Sequence, residues 1–244
     1  MARRRFFVPA FHHQRAELSG DEAHHLTRVL RVERGQQYEV CDGETAWLGT
    51  VVEAHKARVV FSLEERLAPK PAAPPLLLYA ALFKFDHMEW LVEKGTELGV
   101  EAFHFVNAER SERGLDRAAD KRIERWRKIA LEAAQQCRRD RLPLLHAPVR
   151  LSEAAKTAEG VRLLLDEEGG EPLLRALEYR GNQAISLMTG PEGGWTVQER
   201  ALLNEAGWRS VTMGSLILRA ETAALAAAAV VQSASLAASG PANA

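Results

Sequence analysis

Two glycine-containing segments in the C-terminal third of the chain hold the residues best suited to chemistry. The first, Thr189-Gly190-Pro191-Glu192-Gly193-Gly194, follows the apolar run Ile185 to Met188. The second follows Val211-Thr212-Met213 and reads Gly214-Ser215-Leu216-Ile217-Leu218-Arg219-Ala220-Glu221-Thr222-Ala223, at the head of an Ala-rich stretch. An apolar, strand-like run that enters Gly and Pro predicts a tight loop, because these residues make such turns without strain. Thr196, with Glu199 three residues on, has the spacing of a capping box, so a helix starts there. Each segment brings a strand end and a loop to a helix start, which is where α/β sheets bind ligands. Backbone N–H and C=O groups exposed there hydrogen-bond polar ligands. Glu192 and Glu221 are proton acceptors, and Arg219 is a permanent cation. Each also has an ordinary reading: Glu192 as a cap at a helix start, Arg219 in an ion pair with Glu221 or Glu192, and Glu221-Thr222 as a simple helix entry. Neither G-x-G-x-x-G nor G-x-x-x-x-G-K-[ST] occurs, which argues against the dinucleotide and Walker phosphate cradles.

These loops sit in a chain of 244 residues that is 46% hydrophobic, enough for one large or two modest domains with a core. The net charge of -1 provides no global basic field, so any nucleic-acid contact must come from local clusters. Cys41 and Cys137 lie far apart and form no C-x-x-C. That pattern offers no zinc motif and fits a reducing compartment. His24 and His25 lack a third ligand at metal spacing. The N-terminal residues have no apolar core of a secretory signal. The Ala-rich C-terminal helix reads as too short and too weakly apolar to span a bilayer. The expectation is a cytoplasmic protein with no metal and no membrane.

Residues 1–67 read as β-rich. Arg5–Val8, Gln37–Cys41, Ala46–Val52 and Ala57–Leu63 have strand character, and Asp42-Gly43 signals a hairpin. A helix starts at Ser19 or Asp21 and carries Leu26, Val29 and Leu30 on one face. Several short strands and one helix predict a small barrel. Residues 68–75 hold four prolines, which favours an extended linker. From 76 to 244, strand and helix alternate. Leu76–Leu82 is a continuous apolar run, as in a strand buried on both faces. Met88–Leu98 has helical spacing, and Val100–Val106 is the next strand. Asp116–Asp140 is a long helix with Ile123, Trp126, Ala130, Ala133 and Cys137 as its buried stripe. Leu163–Asp166 is a third strand, and the two glycine-containing segments supply the last two. This alternation predicts a parallel α/β sheet.

The pairing of Gly190-Pro191-Glu192-Gly193-Gly194 with Gly214-x-x-Ile217-Leu218-Arg219-x-Glu221-Thr222-Ala223 resembles the RsmE family of SPOUT methyltransferases, bacterial 16S ribosomal RNA (uracil-N3)-methyltransferases. The resemblance continues through Phe83-Lys84-x-x-x-Met88-Glu89-Trp90, Glu93 to Val100, Ser111-Glu112-Arg113, and Arg125 to Arg139. In the small domain it takes in Arg5-x-Phe7, His25-x-x-x-Val29-Leu30-Arg31 and Gly35. It implies a PUA-like, RNA-binding β-barrel at 1–67, a Pro-rich linker at 68–75 and a SPOUT methyltransferase domain at 76–244. In SPOUT domains the C-terminal chain threads a loop to form a trefoil knot. The implied cofactor is S-adenosyl-L-methionine, bound bent and largely by backbone groups. The implied binding residues are Leu165, Thr189, Gly190, Pro191, Glu192, Gly193, Gly194, Met213, Gly214, Leu216, Leu218, Thr222 and Ala223. Leu216 and Leu218 fit the adenine or, equally, ordinary core packing. Arg219, Glu221 and Glu192 are the catalytic candidates: the cation stabilises a uracil anion, and either glutamate accepts the N3 proton, with the choice open. The implied substrate is a uridine in the decoding region of 16S ribosomal RNA, within the 30S subunit. The implied assembly is a homodimer, with Ala223 to Ala229 in close helix contact.

Residues 110–150 hold twelve Lys/Arg against six Asp/Glu. Arg3, Arg4, Arg5, Arg28 and Arg31 form a second basic cluster. With Arg113 and Arg139, these are the expected RNA contacts; a solvated helix face is the plainer reading of the charge run. Two other functions fit part of the pattern. A non-enzymatic assembly factor would keep the basic clusters without needing both loops intact. A SPOUT enzyme with another target would lack the N-terminal domain and the long helix bearing Gln135-Gln136.

Overall fold

The computed structural model describes residues 4–69, 73–112, 114–178 and 183–238. Two compact units emerge: Met1–Pro71 with Ala134–Leu142, and Ala72–Ala133 with Pro143–Ala244. The first unit thus takes in a short piece from the end of the long helix. A linear division at the prolines does not anticipate this. Of the expected linker, residues 70–72 lie outside the described residues.

The first unit contains β1 (Arg5–Phe7), β2 (Phe11–His12), β3 (Arg15–Ser19), α1 (Gly20–Arg28), β4 (Gln37–Cys41), β5 (Ala46–His55) and β6 (Arg58–Arg66). Its six strands form one sheet in the order β1-β4-β5-β6-β3-β2. Only β1 and β4 run parallel. The sheet ends on β1 and β2, which are not paired with each other among the described residues, so the expected small barrel takes the form of a curled half-barrel. Register shifts along β5, at Leu48/Gly49 and Val51/Glu53, supply bulges that bend the sheet. Phe6, Leu18, Val40, Val51 and Phe61 fill its concave side together with Leu26 of α1. Val29 departs from the expected helical face: α1 ends at Arg28 and Val29 is 63% exposed.

The second unit contains β7 (Leu76–Ala81), α2 (Phe85–Glu97), β8 (Ala102–Asn107), α3 (Leu115–Cys137, whose last residues belong to the first unit), β9 (Leu144–Leu145), β10 (Val149–Arg150), α4 (Leu151–Thr157), β11 (Val161–Leu165), β12 (Glu171–Pro172), α5 (Leu173–Glu178), β13 (Ile185–Thr189), α6 (Val197–Glu205), β14 (Arg209–Thr212) and α7 (Ala220–Ala238). Its 8-stranded sheet runs β10-β8-β7-β13-β11-β14-β12, with β9 also paired to β8. Every ladder is parallel, as the strand–helix alternation predicts. All five residues of β13 are buried, which explains its continuous apolar character. α3 presents Trp126, Ala130 and Ala133 to the interior. It stops at Cys137, where Arg138 takes a left-handed φ of 58.

The last helix gives the unit its topology. β14 lies beyond β11 in the sheet, yet α7 packs back against β13, β7, α2 and α5. α7 also corrects an expectation. By length and composition its 19 residues are enough to cross a membrane. The burial of Ala224, Leu225, Ala227, Ala228 and Val231 makes it a core helix of this unit.

Candidate functional site

A cavity of about 540 Å³ opens in the second unit where the C-terminal ends of three parallel strands meet two helix starts. β11 brings Leu165, β13 brings Thr189 and the loop after it, and β14 brings Thr212 and the loop 213–219. α2 contributes Lys84 and His87 from its start, and α7 contributes Glu221 and Ala223. Strand ends in a parallel sheet deliver their loops to one edge, so this convergence follows from the topology. The first turns of α2 and α7 add unsatisfied N–H groups and positive dipole ends, which favour anionic ligands.

The residues expected to hold a cofactor line this cavity except Gly193 and Thr222. The carbonyl of Gly193 accepts a hydrogen bond from Arg110 Nη1 at 2.8 Å, and a Cβ there would meet Arg110 at 3.1 Å. Gly193 therefore packs against a side chain outside the cavity. Thr222 lies on the exposed side of α7.

The two loops use glycine differently. At Gly190 a Cβ would lie 3.0 Å from the ring of Trp195. That ring is buried, and its Nε1 donates to the carbonyl of Leu165 at 3.2 Å. Gly190 is thus the close approach that lets the loop seat Trp195 beneath the cavity. Gly214 has φ +144 with nothing within 4 Å of a built Cβ, so its requirement is conformational. The capping box at α6 forms as predicted. Thr196 Oγ1 accepts from Glu199 N–H at 3.2 Å, and Thr196 N–H donates to Glu199 Oε2 at 2.9 Å. This fixes the exit of the first loop. Leu216 and Ile217 in the second loop are 80% and 81% exposed, which sets aside core packing for Leu216.

Charge at the cavity is paired unevenly. Arg219 is exposed, and among the described residues no carboxylate lies within ion-pair reach of it, so the ion pair with Glu221 or Glu192 is not formed. Glu221 is only 5% exposed, and its Oε2 has no hydrogen-bond partner. Asp166 contrasts with these: Arg200 Nε contacts both of its oxygens at 3.1 Å, and Ser210 Oγ donates to Oδ2 at 3.3 Å. That network holds the β11 end in place. Sequence reasoning missed His87 and Trp195 as parts of the site. Only Trp195 carried a sequence signal, as an aromatic residue directly after the glycine loop.

The expected RNA contacts separate by burial. Arg28 and Arg31 are exposed and Arg4 is half-buried. Arg139 is half-buried, with Nε donating to the carbonyl of Arg141. Arg3 and Arg113 lie outside the described residues. Arg5 does not fit the role. It is buried, its Nη2 lies 2.8 Å from Glu39 Oε2, and its Nη1 contacts Asp140 and the Arg139 carbonyl. A guanidinium enclosed by two carboxylates has no face left for phosphate. Part of the basic run in α3 is also paired: Glu89 takes Arg122 and Arg125, and the Arg125 guanidinium holds its carboxyl below the usual carboxylate range.

A family model described as an RNA methyltransferase domain matches residues 70–232, and one described as an RNA methyltransferase PUA domain matches residues 18–64. The ribosomal RNA small subunit methyltransferase E of Mycobacterium bovis is 35% identical over 87% of this chain and 84% of that protein. The Bacillus subtilis protein of the same name is 31% identical over 85% of this chain and 86% of its own length. The crystal structure of ribosomal RNA small subunit methyltransferase E from Neisseria gonorrhoeae, bound to S-adenosyl methionine, is similar with a TM-score of 0.86 at 30% identity, covering 95% of this chain and 98% of that one. Matched in its parallel-sheet unit, its small β-unit and most of its length, this chain belongs to the ribosomal RNA small subunit methyltransferase E family of RNA methyltransferases.

Proposed function

We propose that this protein transfers a methyl group from S-adenosyl-L-methionine to N3 of a uridine in the decoding region of 16S ribosomal RNA, within the 30S subunit, as a cytoplasmic homodimer. The observation that carries this reading is the convergence of Arg219, Glu221 and Glu192, unpaired with one another's opposite charge, on one cavity built from strand ends. The cavity suits the cofactor. Its volume of about 540 Å³ is that of a cofactor site. Gly190 and Gly214 keep backbone accessible, Leu216 and Leu218 offer apolar cover for adenine, and the carboxylates suit a cationic centre. The cofactor supplies an activated sulfonium methyl.

The protein's task is to align N3 and favour its anion, because N3 of uracil carries a proton at neutral pH. Glu221 is buried with a free Oε2, whereas the Glu192 side chain is 46% exposed. Glu221 is therefore the better placed proton acceptor, and Glu192 flanks it. Arg219, with no competing carboxylate among the described residues, compensates the charge on the uracil. N3 lies on the Watson–Crick edge, so the uridine is bound unpaired or flipped out. Arg4, Arg28, Arg31 and Arg139, with Arg3 and Arg113, supply phosphate contacts that set position.

The dimer reading rests on α7 and the loop before it. Thr222, Ala229, Ser233 and Leu236 form an exposed stripe on α7 at helical spacing, and Leu216 and Ile217 are exposed nearby in sequence. Within the stretch 223–229, Ala224, Ala227 and Ala228 belong to the chain's own core, whereas Ala229 is exposed, so its replacement by Arg probes the interface. The activity is tested by incubating unmodified 16S rRNA in 30S subunits with the protein and cofactor, then mapping methylated nucleosides by mass. N3-methyluridine at one site is expected. A methyl on any other atom or base would overturn the assignment.

A further inference from the structure

His87 has no role in the reading above, yet it stands at the same cavity. It lies in the first turn of α2, a helix whose packing against α7 brings its start beside Glu221. Its Nδ1 is 3.5 Å from Glu221 Oε1 and 3.9 Å from Glu192 Oε1. These distances are too long for hydrogen bonds. Nδ1 of His87 and Oε2 of Glu221 are both buried and both without a hydrogen-bond partner. Buried polar atoms are seldom left unpaired, because each has given up its bonds to water without replacement. Two orphans side by side at a cavity wall therefore mark a place where a ligand completes the bonds.

Their chemistry says which ligand. A carboxylate oxygen only accepts; an imidazole nitrogen bearing its proton donates. The pair is an acceptor next to a donor. We propose that His87 and Glu221 together dock the imide edge of the target uracil: Glu221 Oε2 accepts the N3–H, and His87 Nδ1–H donates to the flanking ring carbonyl. The assignment rests on the uridine reading above and deepens it. Cytosine presents an acceptor at N3, so Glu221 Oε2 would face a like partner, and where His87 reaches the C4 side its donor would face the amino group as well. A site built to bond a specific donor–acceptor pair rejects its opposite strongly. During transfer the N3 proton passes to Glu221, the N3–CH3 bond forms as the S–CH3 bond breaks, and the sulfur keeps the bonding electron pair. His87 stabilises the negative charge that the ring carbonyl gains as N3 deprotonates, so it is a specificity-determining residue that also acts in the transition state.

The test compares wild type, His87→Leu and His87→Asn in the full chain, with labelled cofactor and 30S subunits carrying unmodified 16S rRNA. Cofactor affinity is measured beside the rate by calorimetry. Leucine removes the donor, and kcat should fall about 10²-fold, as for loss of one donor to a developing oxyanion, with cofactor affinity unchanged. Asparagine places an amide N–H near the position of Nδ1 and should keep the rate within about tenfold of wild type, roughly 1.4 kcal/mol. A wild-type rate in His87→Leu would overturn the proposal. So would a loss of cofactor affinity that matches the loss of rate, because His87 would then belong to the cofactor. Equal losses in the leucine and asparagine variants would overturn it too, by showing a packing role. Failure of the uridine reading shows separately, in the wild-type reaction, as product other than N3-methyluridine, and would remove the dock with it.

Discussion

In the first compact unit, Arg5 is buried and its guanidinium reaches Glu39, Asp140 and a main-chain carbonyl. In the second, Arg219 is exposed at a cavity, and no carboxylate lies within ion-pair reach among the described residues. Both arginines sit in motifs that carry the family resemblance. One joins β1 to a segment more than a hundred residues away in sequence, and its charge is consumed by the fold. The other leaves its charge free for a ligand. A motif residue is therefore functional or structural according to what surrounds it, and surroundings are a property of packing.

The comparison makes opposite demands on the two arginines. Arg5→Ala should strip two carboxylates of their cation and cost on the order of 3 kcal/mol in urea unfolding, because a broken buried pair leaves unpaired charge. Cofactor affinity of the folded variant should not change. A variant of normal stability that binds RNA with a flatter salt dependence would return Arg5 to the phosphate contacts. Arg219→Ala should do the reverse: stability within about 0.5 kcal/mol of wild type, and a kcat about 10²-fold lower. If its stability falls with its rate, the charge was structural after all.

Smaller effects sharpen the same contrast. Gly214→Ala meets no atom, so only its φ of +144 is penalised. It should cost on the order of 1–3 kcal/mol of local strain, seen mainly as weaker cofactor binding. His104 is a titratable group that the cavity does not use. It stacks between Tyr79 and His146 at 4.2 Å on either side, and burial, with His146 nearby, pushes its pKa down to about 4 from 6.5. A depressed histidine pKa means that the unfolded chain takes up the proton first. Stability is therefore full above pH 6.5 and is lost as the pH falls toward about 4. His104→Phe should keep the stack and lessen the acid loss at pH 5 by on the order of 1 kcal/mol, checked by urea midpoints at pH 5 and 7.

Much of the second unit was legible because its signals are local. The apolar runs of β7 and β13 mark strands buried on both faces. Thr196 and Glu199 mark the start of α6, and the glycines of the two loops mark tight backbone beside strand ends. What escaped was non-local or atypical. β2 and β3 are joined through His13 and Gln14, both left-handed at φ 46 and 60, without the Asn-Gly or Asp-Gly signature of such a turn. The bulges that bend the first sheet at β5 leave no trace in an alternation pattern. His87 lies more than a hundred residues before the loops it joins, and only the packing of α2 on α7 puts it there. Gly193 reads like its neighbours in sequence, yet it faces Arg110.

Our proposed placement of the cofactor is the cavity at the ends of β11, β13 and β14. Calorimetric titration of S-adenosyl-L-methionine into the full chain and into Gly190→Val tests it most directly. A valine there must displace the buried Trp195 ring, 3.0 Å from the position of the new Cβ, and so deform the floor of the cavity. One site per chain is expected in wild type, with an affinity at least about 10²-fold weaker in the folded variant, roughly 2.7 kcal/mol. Undiminished affinity in a variant that keeps its circular dichroism and unfolding transition would place the cofactor elsewhere.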